Sequence, residues 1–162
     1  MALLQILTLE NDEEALRRKS RPLGGVNQRT RTLLDDLYET MQEANGVGLA
    51  APQVGVLRRA VVIDVGEGRI DLVVPEIIAA DGEQEDREGC LSLPDACGIV
   101  TRPMQVTVKA LDYNGEPFTL TGEGLLARAL CHEIDHLDGV LYVDRASRML
   151  TQEELDELEA ED

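Results

Sequence analysis

One helix constrains how this chain can fold. Over GEGLLARALCHEIDHLDG, residues 122–139, apolar side chains recur at helical spacing on more than one face. Leu126, Leu130, Ile134 and Leu137 form one stripe, and Leu125 and Ala129 continue the face that carries the histidines. A helix apolar almost all round belongs inside a protein, so this one must run through the middle of the fold. Asp138-Gly139 closes it. Both histidines of the chain, His132 and His136, lie on it four residues apart, on one face and about a turn from each other.

Two neutral imidazoles held in this way can grip one transition metal ion, and the adjacent Glu133 is offset enough to reach water at that ion. The plain alternative is a pair of core histidines in a five-residue pattern that arises by chance. A catalytic metal site takes three protein ligands and an open position. Without a third histidine, the third ligand must be Cys, Asp or Glu. One possibility is Asp156 or Glu157, in a tail of mutually repelling acids that reads as a solvated helix or a frayed end. The other is Cys90 in EGCLSLP, whose thiolate would be a soft, strong ligand and whose bland reading is a small buried hydrophobe. Cys131 points about 100° away from His132 around the helix and is expected in the core. Cys97 suggests no function.

Elsewhere, Asn11 with Glu14 resembles a capping box and predicts a short helix through ALRRK. RTRTLLDDLYETMQEA predicts an amphipathic helix that stops at Asn45-Gly46, before the irregular NGVGLAAPQVG. RRAVVIDV and DLVVPEII read as strands, with Pro75 placing part of the second at an edge or bulge. DGEQEDREG reads as an acidic loop, and QVTVKALDYNGEPFTL as a hairpin about Asn114-Gly115. No repeat or linker divides the 162 residues. The expected class is α+β: a compact single domain with antiparallel or mixed sheets around a central metal-binding helix.

Charge narrows the partners. The net charge is −17, and seven of the acids fall in the last twelve residues. Such a chain is repelled by nucleic acid phosphates and anionic membranes, so direct binding to either is not expected. Three cysteines do not make a disulfide framework, and MALLQILTLENDEE lacks the basic flank of a signal peptide. A reducing cytoplasm is the expected compartment.

Three segments, GVGLAAPQ (46–53), EGCLS (88–92) and HEIDH (132–136), together resemble the signature motifs of the peptide deformylases, in that family's order and spacing. The resemblance spans residues 1 to about 150 as a catalytic domain and leaves 151–162 as an acidic tail. It implies hydrolysis of the formyl group from N-formylmethionyl nascent peptides, releasing formate. It implies Cys90, His132 and His136 as metal ligands and Glu133 as general acid/base, with Gln53 and the Leu91 backbone N–H at the formyl oxygen. The implied ion is Fe2+ in the cell, with Zn2+, Ni2+ or Co2+ accommodated by the same ligands. Gly46, Gly48 and Gly89 would let a substrate backbone approach, and Val47, Leu125 and Ala129 would wall a methionine pocket with Arg128 near its rim. Glu88 or Asp135 would orient a ligand imidazole, or else form a salt bridge with Arg102. Any contact with the ribosome would be transient and not through the acidic tail. The rival readings are a metalloendopeptidase whose third ligand is Asp156 or Glu157, and a non-catalytic module retaining a structural metal.

Overall fold

The computed structural model describes residues 2–161. Four helices and eight strands follow in order: α1 (Leu9–Leu16), α2 (Gln28–Glu43), β1 (Gly48–Ala50), β2 (Ala60–Ile63), β3 (Ile70–Asp81), β4 (Gln84–Cys90), β5 (Leu93–Arg102), β6 (Gln105–Leu111), β7 (Pro117–Glu123), α3 (Leu125–Leu137), β8 (Arg148–Met149) and α4 (Gln152–Glu161). A 3-10 turn over Ala51–Val54 follows β1. The strands form a five-stranded sheet, β1-β2-β3-β6-β7, and a three-stranded sheet, β4-β5-β8. All ladder pairs are antiparallel. The α+β class expected from the sequence is the one found.

Strand periodicity explains how the central helix is buried. Successive side chains of a strand face opposite sides, and β2 is apolar at every position. Val61 and Ile63 pack with Ala127, Leu130, Ile134 and Leu137 of α3. Ala60 and Val62 face the other way, onto Leu34, Leu37 and Met41 of α2. The β1–β2 side of the larger sheet is thus sandwiched between α2 and α3, while β7 and the second half of β3 keep an exposed face. Helix α2 starts where its residues dictate, with the Asn27 side chain accepting from the Thr30 N–H at 3.0 Å. Helix α3 ends on Gly139 at φ +74, where a Cβ would collide with the Arg17 carbonyl oxygen.

Two local expectations are corrected and one open alternative, edge or bulge at Pro75, is decided. The stretch DGEQEDREG holds β4 rather than only loop: Gln84–Cys90 pairs with β5, and its exposed acids are those of a solvent-facing edge strand. β3 is interior, between β2 and β6, so Pro75 marks a bulge and not an edge; the register shifts between Val73 and Glu76, and Val74 sits at φ +51. Helix α1 begins after Thr8 rather than Asn11, is kinked at Asp12 (φ −130, ψ 30), and ends at Leu16, so it stops short of residues 17–19. Among the described residues no helix is long and apolar enough to cross a membrane.

Candidate active site

The site forms where β1, the end of β4 and the face of α3 meet. β4 delivers Cys90 at its last residue, just before the turn at Leu91 and Ser92. Helix α3 delivers His132 and His136. Cys90 Sγ lies 3.3 Å from His136 Nε2, which lies 3.2 Å from His132 Nε2. Two nitrogens bound about 2.0–2.1 Å from one ion at a tetrahedral angle would be roughly 3.3 Å apart, so this spacing suits a shared metal ion. Among the described residues this trio is the one group of His, Cys, Asp and Glu whose donor atoms converge in this way, all within 4.8 Å of one another. Asp156, one of the two downstream carboxylates weighed as third ligand, instead accepts from Gln152 along α4. The soft thiolate with two imidazoles suits a divalent transition metal, and these residues fit such an ion.

A buried ionic cluster fixes the orientation of His132. Its Nδ1 donates to Glu88 Oε1 at 2.6 Å; an ionised carboxylate can only accept, so the proton sits on Nδ1 and Nε2 faces the trio. Glu88 also accepts two bonds from Arg102 and one from Arg128 Nη1. Burial pushes the Glu88 carboxyl up, but His132 and Arg102 outweigh it and hold it at about 2. Glu88 is therefore both a partner to a ligand imidazole and an ion-pair partner of Arg102. Asp135 is only the second of these, bound by Arg102 and Arg145. Arg128 does not stand at a rim: it is buried, folded back onto Glu88.

The two imidazoles differ in the charge around them. Burial disfavours protonation of both. At His132 the neighbouring Glu133, Cys90 and Glu88 overcome that penalty and raise its pKa. At His136 the adjacent His132 adds to the effect of burial and lowers it. Glu133 is not one of the converging group; its Oε2 lies 4.0 Å from His132 Nε2, a separation that a water could bridge. Its Oε1 is buried without a hydrogen-bond partner among the described residues, and burial raises its carboxyl to about 7. The carboxylate lies against Gly48, where a Cβ would come within 2.5 Å of Oε2.

Gln53, on the 3-10 turn, is held by both ends of its amide. Oε1 accepts from the Ala50 N–H at 3.0 Å; Nε2 donates to Ser92 Oγ at 3.1 Å and lies 3.5 Å from Cys90 Sγ. The Leu91 N–H takes no part in turn or loop hydrogen bonding among the described residues. A cleft of about 340 Å³ runs past these groups, lined by Gly46, Val47, Gly48, Gln53, Gly89, Cys90, Leu91, Leu125, Ala129, His132 and Glu133 among others. Of the residues given metal, catalytic or substrate roles by the family resemblance, all but His136 line it; Asp135, Asp156 and Glu157 do not. Two neighbours gain no role from the sequence, although Ser92 closes the EGCLS motif. Ser92 is fully buried and anchors Gln53, and Tyr142 stacks on His132 at 6.1 Å between ring centres.

Residues 3–152 match the family model described as polypeptide deformylase. The peptide deformylase of Caldicellulosiruptor bescii is 57% identical over 97% of this chain and 93% of its own length. That of Acetivibrio thermocellus is 54% identical over 91% and 86%. Among solved structures, a peptide deformylase from Legionella pneumophila superposes with a TM-score of 0.84 at 44% identity, covering 98% of this chain and 96% of that one. One from Ehrlichia chaffeensis, in complex with actinonin, gives 0.87 at 35% identity over 99% and 96%.

Proposed function

The chain belongs to the polypeptide deformylase family, a family of metal-dependent enzymes that remove N-formyl groups from nascent peptides, and on that premise we propose how its own residues carry the reaction. The observation that supports the assignment most is Glu133, buried with Oε2 4.0 Å from His132 Nε2 yet not part of the converging trio. Cys90, His132 and His136 would hold the ion. When bound, a divalent ion supplies Lewis acidity, which brings the deprotonation of water near neutral pH and polarises a carbonyl.

Glu133 takes the proton of the attacking water as its oxygen adds to the formyl carbon. The formyl oxygen then gains negative charge, faced by Gln53 Nε2–H and the Leu91 N–H; each such donor is worth roughly 3–4 kcal/mol in an oxyanion hole. Glu133 hands the proton to the amine nitrogen as the C–N bond breaks, leaving formate and a free amino terminus. Glu88 keeps His132 in the tautomer whose Nε2 lone pair faces the site. Leu125, Ala129 and Val47 receive the methionine side chain, and Gly46, Gly48 and Gly89 admit the peptide backbone.

The catalytic unit is assigned to residues 1–150: the cleft-lining residues run from Asn45 to Glu133, and the tail from 151 contributes none. The seven acids of that tail make it a poor anchor on ribosomal RNA, so any encounter with the ribosome uses another face, in the cytoplasm where formylated chains emerge. The direct test is anaerobic formate release from a formyl-Met peptide by metal-loaded protein, with actinonin expected to inhibit it. No release from fully metallated protein would reject the activity.

Fe2+ is proposed as the working ion. Cys90 is half-buried at the cleft wall, so an iron–thiolate pair there is open to oxygen, and both partners oxidise. The iron-loaded enzyme is expected to lose activity in air while the nickel-loaded enzyme keeps it. Equal decay of the two would argue against iron sensitivity at this site.

Gly48→Ala gives a sharper test of geometry. The added methyl cannot avoid Glu133, since its position is set by backbone in a strand paired with β2. Displacing the carboxylate by about an ångström is expected to lower kcat about 100-fold. Metal content, measured on the same sample, should be unchanged.

A further inference from the structure

We propose that Arg87 sets a substrate preference at the mouth of the cleft, favouring formylated peptides with an acidic side chain shortly after the formylmethionine. This rests on the reading of the cleft as the formyl-peptide site. The charged residues lining the cleft are Arg87, Glu88, Arg128, Glu133 and His132. Glu88, Arg128 and His132 are bound to one another, and Glu133 is buried. Arg87 alone among them is exposed, and its guanidinium forms no salt bridge within 4.0 Å among the described residues, although Asp86 Oδ1 accepts from its backbone N–H at 2.7 Å.

Its position along β4 fixes what it can read. Cys90 marks the end of the strand where the formyl group reacts. The register of β4 shifts between Glu88 and Cys90, but Arg87 and Gly89 both line the cleft, and at about 3.3 Å per residue Arg87 stands roughly 7 Å farther along the strand from Cys90 than Gly89 does. β4 is the edge of its sheet, with one side unpaired. A peptide lying extended along that edge passes Gly89 and then places a side chain beside Arg87, one or two residues after the methionine. Glu85 is the competitor on the same face, two residues farther out and exposed. The net charge of −17 repels acidic peptides at long range, but at physiological ionic strength screening acts beyond about 8 Å, and the contact with Arg87 lies inside that distance.

The test compares kcat/KM for C-terminally amidated formyl-Met peptides carrying Glu, Gln or Lys at the second or third position, near 0.15 M ionic strength. Ratios are taken within each protein, so any general effect of a substitution divides out. The wild type is expected to favour Glu over Lys at one of the two positions by roughly two- to fivefold, the scale of an exposed ion pair. Arg87→Gln should abolish the preference, Arg87→Glu should reverse it, and Glu85→Gln should widen it. A wild-type enzyme that is indifferent or prefers Lys overturns the proposal. So does a Glu preference that survives in Arg87→Gln. Failure to hydrolyse even the Gln peptides would instead be a failure of the underlying deformylase reading.

Discussion

Glu133→Gln is expected to stop formate release while the metal stays bound. The substitution keeps size and shape, and an amide side chain still fits against Gly48. What it loses is the ability to accept a proton and return it. Positioned acid–base groups contribute about 100- to 10,000-fold, and Glu133 is asked to act twice, on the attacking water and on the leaving nitrogen. A fall in kcat at the upper end of that range is therefore expected. The carboxylate lies outside the Cys90, His132 and His136 trio, so metal content should match wild type. The buried Glu133 Oε1 has no partner, so replacing a carboxylate by an amide breaks no hydrogen bond at that atom, and the melting temperature should not fall. Retained turnover with full metal content would mean that another group moves the proton.

The placement of Glu133 beside the two histidines was legible because α3 is regular: a four-residue spacing fixes a face, and an apolar circumference fixes burial. Other parts of the site were not legible, for physical reasons that differ. The sequence offered Arg102 as a partner for Glu88, but four donors converge on that carboxylate because strand pairing brings Arg102 across from β5 and α3 brings Arg128 and His132. No local pattern encodes such a meeting. Arg128 illustrates a second limit. Helical spacing says which way a Cβ points, yet a long side chain can reach outward or fold back, and the buried charge of Glu88 drew it inward. β4 was hidden because an edge strand can carry charged residues on its exposed face, and a run of acids then looks like a loop. Ser92 closes the EGCLS motif two residues after Cys90, and Tyr142 has no reactive neighbour in sequence; in both cases only their contacts show what they do.

Cys90→Ser is expected to empty the metal site, and the matched pair Asp156→Asn and Glu157→Gln to leave it full. The serine keeps the shape of the side chain, so the β4–β5 hairpin and the Gln53–Ser92 contact have no reason to rearrange. The change is one of chemistry. A thiol ionises near pH 8.5 and lower still beside a metal, whereas an alcohol stays protonated, so the variant offers a neutral, hard oxygen where the trio needs a soft anion. Losing an outer hydrogen-bond partner of a ligand already costs about 10- to 100-fold in metal affinity; losing the anionic ligand itself should exceed that. Metal analysis after dialysis against a weak chelator, beside a thermal melt, separates loss of metal from loss of fold. The two acids stand on α4, where Asp156 is occupied with Gln152, whereas Cys90 Sγ lies 3.3 Å from His136 Nε2, which is why the cysteine is proposed as the third ligand. Full metal retention in Cys90→Ser with loss in either tail variant would transfer the third ligand to the tail and turn the reading toward a metalloendopeptidase.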